Sequence, residues 1–167
     1  MTLEIKMTHL SQKGIIALTK VAQWLEAGAP HVQVTDDLEV GYFDMEYAVV
    51  ANTGSGDDCG TACCIAGAVC QFEMLGLDER DEDGDLEWIL PGEDAHQGGG
   101  DIGAFFLASD YLGMDYDDAE RLFSPFNLGL DGHTYRNPAI AALVVRHFIE
   151  TGEVSWVDIS DEFFENN

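Results

Sequence analysis

The chain has 167 residues, 46% of them apolar, and sets 32 acidic residues against 7 basic ones for a formal net charge of −25 at pH 7. That balance excludes unassisted binding to nucleic acid or to an anionic membrane, both of which would repel it. It leaves a basic partner, a bound cation or a high-salt habitat, while the apolar fraction is that of a globular domain with its own core rather than of a disordered chain.

Residues 1–30 carry two acids and three lysines and are the least acidic part of the chain. Met1 to Leu10 holds no continuous apolar stretch, so no secretory signal is expected. No apolar run approaches the roughly 20 residues that span a bilayer. From Ser11 to Gly28, Ile15, Leu18, Val21, Ala22 and Leu25 recur at helical spacing. Ser11 is the expected N-cap, and Gly28 and Pro30 end the helix. His31 to Val34 and Tyr42 to Val50 are rich in β-branched and aromatic residues and predict one or two short strands. Thr53 to Asp58 reads as a loop before a helix over Gly60 to Leu75. Thr61, Ala62, Ala66, Gly67 and Ala68 would let neighbours approach that helix closely, so it is expected at the centre, stopped by Gly76.

Residues 76–100 predict an acidic central loop or insertion, anchored by Trp88 to Leu90 and ending in Gly98 to Gly100. A helix is expected from Asp101 to Leu112, then a short one through Phe123 capped by Asp115 or Asp117, with Glu120 completing a capping box on Asp117. Asn137-Pro138 marks a helix start that runs to Thr151, with Gly152 past its end. Residues 153–167 are expected to form a tail that docks through Trp156, Phe163 and Phe164 and frays at Asn166. The fold class is therefore mainly α (α+β): a single helical domain over residues 1–167 with a minor β element and an acidic central loop.

The charge is concentrated. Residues 71–120 hold sixteen acids and one arginine. A dedicated face accounts for that better than general acidity. The candidate partner-binding residues are Asp78, Glu79, Asp81, Glu82, Asp83, Asp85 and Glu87 in the loop, with Asp115, Asp117 and Asp118 beyond it. A basic groove built for nucleic acid attracts such an array. The expected function is a non-enzymatic, cytoplasmic interaction protein that meets a basic, nucleic-acid-handling partner. The other reading of the acidity is halophilic adaptation, which low lysine and 18 Asp against 14 Glu would fit.

Two further chemistries compete for particular residues. Glu79, Asp81, Asp83, Gly84, Asp85 and Leu86 fall at calcium-loop positions 1, 3, 5, 6, 7 and 8, but the bidentate position 12 falls on Leu90. A solvated acidic loop is the preferred reading, and no metal or cofactor is expected. Cys59, Cys63, Cys64 and Cys70 cluster within twelve residues, which argues for free thiols in a reducing compartment rather than a disulfide scaffold. On one helix, Cys59, Cys63 and Cys70 would share a side. A zinc site would need paired ligands well separated in sequence. The preferred reading is cysteine as a small buried apolar residue.

The run Asp58-Cys-Gly-Thr-Ala-Cys63 also resembles the start of the catalytic helix in papain-like bacteriocin-processing peptidases. That resemblance implies a Cys59 nucleophile with His133 as base and Asn137 to orient it. No glutamine precedes Cys59 to supply an oxyanion donor, and Asp57 and Asp58 beside it disfavour a thiolate. A wider resemblance takes in more of the chain. Cys59-Gly-Thr, Cys64 and Ala66-Gly67, with Tyr42-Phe-Asp-Met upstream and Ala119 to Pro125 and Arg146 to Val154 downstream, are similar to a loose group of small bacterial and phage proteins. Their signature is Cys-Gly-Thr-x-x-Cys-x-Ala-Gly. The resemblance implies a helical module of phage or mobile-element type in which the cysteine motif is structural, and it assigns no catalytic residue.

Overall fold

The computed structural model describes residues 10–35, 38–40, 43, 45, 49–50, 62–75, 77–78, 87–88 and 99–166. They form a mainly α domain in which the β structure is confined to short two-stranded pairs. Helix α1 (Gln12–Glu26) starts where the sequence places it. The Ser11 Oγ accepts from the Gly14 N–H at 3.0 Å, satisfying one of the free amides of the first turn. Leu18, Val21, Ala22 and Leu25 lie on its buried face as the periodicity predicts, joined by Ala17 and Trp24. Ile15 is only half-buried and Ile16 is exposed. Past the helix, Gly28 takes a φ of +86°, and the Trp24 Nε1 donates to the Pro30 carbonyl at 2.8 Å, folding the exit back on the helix.

Strand β1 (Val32–Thr35) pairs antiparallel with β2 (Leu38–Val40), and β3 (Val49–Val50) pairs antiparallel with β4 (Ala62–Cys63). The second pair changes the expected cysteine helix. Ala62 and Cys63 belong to a strand, Cys64 is the N-cap, and α2 runs only over Ile65–Phe72. The cysteines therefore do not share one helix side: Cys63 is on a strand, Cys64 at a cap and Cys70 within the helix, while Cys59 lies outside the described residues. Backbone pairing with β3 overrides the small-residue pattern at Ala62 and Cys63. The expectation of a buried central helix holds, because every residue of α2 from Ile65 to Gln71 is buried, between α1 and α3 (Gly99–Leu112). Gln71 is wholly buried and neither atom of its side-chain amide makes a hydrogen bond. Such a group costs about 1–3 kcal/mol of stability.

Strand β5 (Leu77–Asp78) pairs antiparallel with β6 (Glu87–Trp88); the rest of the expected acidic loop up to residue 98 lies outside the described residues. Helix α3 ends in a left-handed Gly113 whose N–H reaches the Ser109 carbonyl at 3.0 Å, with the Met114 N–H on the same oxygen. Helix α4 (Tyr116–Phe123) follows at once. Its N-cap is Asp115, whose Oδ1 accepts from the Asp118 N–H at 2.8 Å, so the capping box expected on Asp117 and Glu120 is displaced. A 3-10 turn (Pro125–Leu128) and a one-turn helix α5 (Gly132–Tyr135), neither anticipated from the sequence, lead to α6 (Pro138–Thr151). Asn137 caps α6 with Pro138 in its first turn, and a left-handed Gly152 closes it, as expected.

The terminal tail is a helix, α7 (Trp156–Asn166). Of its three expected anchors, Trp156 is 1% exposed, Phe163 is half-buried and Phe164 is 56% exposed. One contiguous apolar core draws on α1, α2, α3, α4, α6 and α7, with α1 lying along α6. Among the described residues, no helix is long and apolar enough to cross a membrane.

Candidate functional site

The predicted partner-binding residues separate into two places. Asp78 and Glu87 stand opposite each other in the β5–β6 register, and Glu79, Asp81, Glu82, Asp83 and Asp85 between them lie outside the described residues. A calcium loop of the helix–loop–helix kind has helices on both sides; strands border this segment. Among the described residues, no group of three or more His, Cys, Asp or Glu side chains is arranged to hold a metal.

Asp115, Asp117 and Asp118 occupy the start of α4, where the helix dipole favours negative charge. Asp115 keeps its side chain on the cap. Asp117 and Glu120 are exposed three residues apart, a spacing that sets Cβ atoms about 5–6 Å apart on one helix face. Asp110, exposed in the last turn of α3, adds a further carboxylate at the α3–α4 corner.

Aromatic rings stand beside these acids. Phe105 is half-buried and packs at 5.4 Å against Phe106 and Tyr116 and at 5.8 Å against Phe123. Phe106 and Tyr116, whose ring centres are 6.5 Å apart, remain 54% and 58% exposed. The half-buried Phe105 thus packs against two outward rings. Exposed aromatic faces flanked by carboxylates suit the guanidinium of arginine, which stacks on rings and pairs with carboxylates through the same planar group. Phe106, Tyr116 and Asp110 were not picked out from the sequence, and Glu120 only as part of a capping box. Consecutive phenylalanines at 105 and 106 were the available signal: two adjacent helix positions cannot both face the same core.

Of the basic residues described, Lys13 and Lys20 gather at Tyr111 and Glu73, Arg146 pairs with α1, and Arg121 stands on α4 itself. Lys20 Nζ bonds Glu73 at 2.6 Å, and the Tyr111 hydroxyl donates to the other oxygen of Glu73 at 2.7 Å. That hydrogen bond, with burial and the charge of Glu73, raises the Tyr111 phenol above its ordinary range. Lys13 Nζ sits 4.4 Å from the centre of the Tyr111 ring. Arg146 grips Glu26 through two bonds of 2.8 and 3.0 Å, which hold the Glu26 carboxyl below the usual carboxylate range. Arg136 lies over the ring of Tyr135. Arg121, in the last turn of α4, is the one basic residue of that helix.

Cys64 and Cys70 are both buried and committed to structural contacts. Cys64 Sγ accepts from the Gly67 N–H at 3.4 Å and is committed to the cap. Cys70 Sγ donates to the Ala104 carbonyl at 3.6 Å, and burial, with the neighbouring Cys64, pushes its thiol up to about 12. Native protein at pH 8 is expected to leave Cys70 unmodified by iodoacetamide while denatured protein is alkylated there; mass spectrometry of the tryptic peptide checks this, and rapid native labelling would contradict it. His133 is exposed on α5, and the Asn137 side-chain oxygen that a papain-like dyad would use accepts instead from the Ala139 N–H at 2.9 Å. No protein family, curated protein or solved structure matches the chain.

Proposed function

We propose that the protein is a non-enzymatic interaction protein of phage or mobile-element type whose acidic surface binds a basic, nucleic-acid-handling partner in place of DNA. The observation that carries this is the α3–α4 corner: exposed Asp110, Asp117 and Glu120 beside two outward aromatic rings, with Arg121 the one basic residue on either helix. A channel shaped for the phosphate backbone carries lysine and arginine along its walls. Carboxylates on a rigid helix enter such a channel with fast, salt-sensitive association. The rings add what charge alone lacks, a desolvated anchor at the centre of a polar rim.

The test is retention of nucleic-acid-binding proteins from a bacterial lysate on the immobilised chain, followed by elution with duplex DNA. Release of a discrete basic protein by DNA at constant ionic strength is the expected result. A retained protein that stays bound under saturating DNA would sink the competitive reading.

A further inference from the structure

A second surface lies at the last two long helices. Helices α6 and α7 leave between them an open groove of about 470 Å³. From α6 it takes Leu143, His147 and Glu150; from α7 it takes Ile159, Glu162 and Phe163. With Asn166 added on α7, spacings of three, four and seven residues mean that each helix turns one stripe toward the groove for about two turns, roughly 11 Å. The floor is apolar, and Leu143 is left 47% exposed on a helix that otherwise buries its hydrophobic face. The rim is acidic at Glu150 and Glu162, both exposed. Arg146 also lines the groove; its two-bond pair holds it to Glu26 on α1, and Glu150 of the rim acts on its charge as well, which leaves Glu162 the freer carboxylate.

We infer that this groove is a docking site for a basic amphipathic helix of a partner protein. A third helix laid along the two stripes would cover Leu143, Ile159 and Phe163 with its apolar face. Lysine or arginine at its flanks would meet Glu150 and Glu162. Charge complementarity selects that occupant: a second copy of this chain would bring another −25 against the same acidic rim. The inference rests on the proposed function only for the sign of the partner's charge, and its residues are separate from the α3–α4 corner.

The test uses the full chain and a fluorescein-labelled peptide of leucine and lysine patterned as an amphipathic helix, with a scrambled peptide of the same composition as control. Fluorescence anisotropy at low salt reads the affinity. The patterned peptide binds and the scrambled one binds at least about tenfold more weakly. Leu143→Gln combined with Glu162→Gln weakens the patterned peptide by about tenfold or more. Ile16→Gln combined with Asp161→Asn, both exposed and neither in the groove nor at the corner, leaves it unchanged. In the wild type, methyl NMR shows the Leu143 and Ile159 resonances shifting as peptide is added, independently of whether any variant folds. Equal binding of both peptides, or full affinity in the groove variant, overturns the groove. Loss of peptide binding on Tyr116→Ser combined with Asp117→Asn, with full binding in the groove variant, overturns the groove and leaves the corner standing. A concentration-dependent dimer by sedimentation that Leu143→Gln abolishes makes the occupant a second copy and overturns the assignment.

Discussion

Gly14→Ala is expected to lower the thermal midpoint, the reverse of what glycine to alanine does in most helices. In an unobstructed helix interior the change gains about 0.5–1 kcal/mol, because alanine loses less backbone freedom on folding. At Gly14 the added Cβ would stand 2.5 Å from the Leu112 carbonyl oxygen and 2.9 Å from the Leu112 Cα. Those are backbone atoms at the end of α3, which cannot swing aside as a side chain can. The same carbonyl accepts from the Ser11 N–H at 2.9 Å and from the Ser11 hydroxyl at 3.2 Å, so moving it disturbs the cap of α1 as well. Overpacking of this kind costs about 1–3 kcal/mol. Less that gain, a net loss of about 1 kcal/mol corresponds to a fall of about 2–4 °C in a chain of this size. Circular dichroism melting measures it. A midpoint equal to or above that of the wild type would mean that α1 and α3 do not cross as closely as 2.5 Å requires.

Neutralising the α3–α4 corner is expected to cost the largest share of affinity for a DNA-displaceable partner. The variant Asp115→Asn, Tyr116→Ala, Asp117→Asn and Glu120→Gln removes three charges and one ring. It leaves the fold in place, because asparagine caps a helix as well as aspartate and Tyr116 is mostly exposed. Close charge pairs across an interface and a buried aromatic anchor each contribute substantially, so a drop of about 100-fold in affinity is expected. Surface plasmon resonance against the purified partner reads it, with dissociation faster and the far-ultraviolet spectrum unchanged. Full affinity in this variant would move the interface to another part of the acidic surface.

The helices with strong local punctuation were legible before the structure. Ser11 before the apolar stripe of α1, and Asn137-Pro138 with Gly152 around α6, bracket their helices by capping chemistry that depends only on neighbours in sequence. What escaped was set by distant partners. Ala62 and Cys63 joined a strand because Val49 and Val50 lie alongside, a pairing that no local pattern announces. The acid-rich run from Asp158 to Glu165 reads as a tail, yet Trp156, Ile159 and Phe163 carry a helical stripe that α6 receives. At the corner, Asp115, Asp117 and Asp118 were legible as charge, but the rings beside them were not. Helix α3 carries apolar residues nearly all round, so its neighbours decide that Phe105 turns inward and Phe106 outward.

The central claim is that the carboxylates of the α3–α4 corner occupy a site the partner uses for nucleic acid. The slope of log Kd against log salt for the DNA-displaceable partner, measured side by side for the wild type and the four-residue corner variant, tests it most directly. The account predicts a steep loss of wild-type affinity as salt rises and a clearly shallower slope for the variant. Two coincident slopes with equal affinities would contradict it.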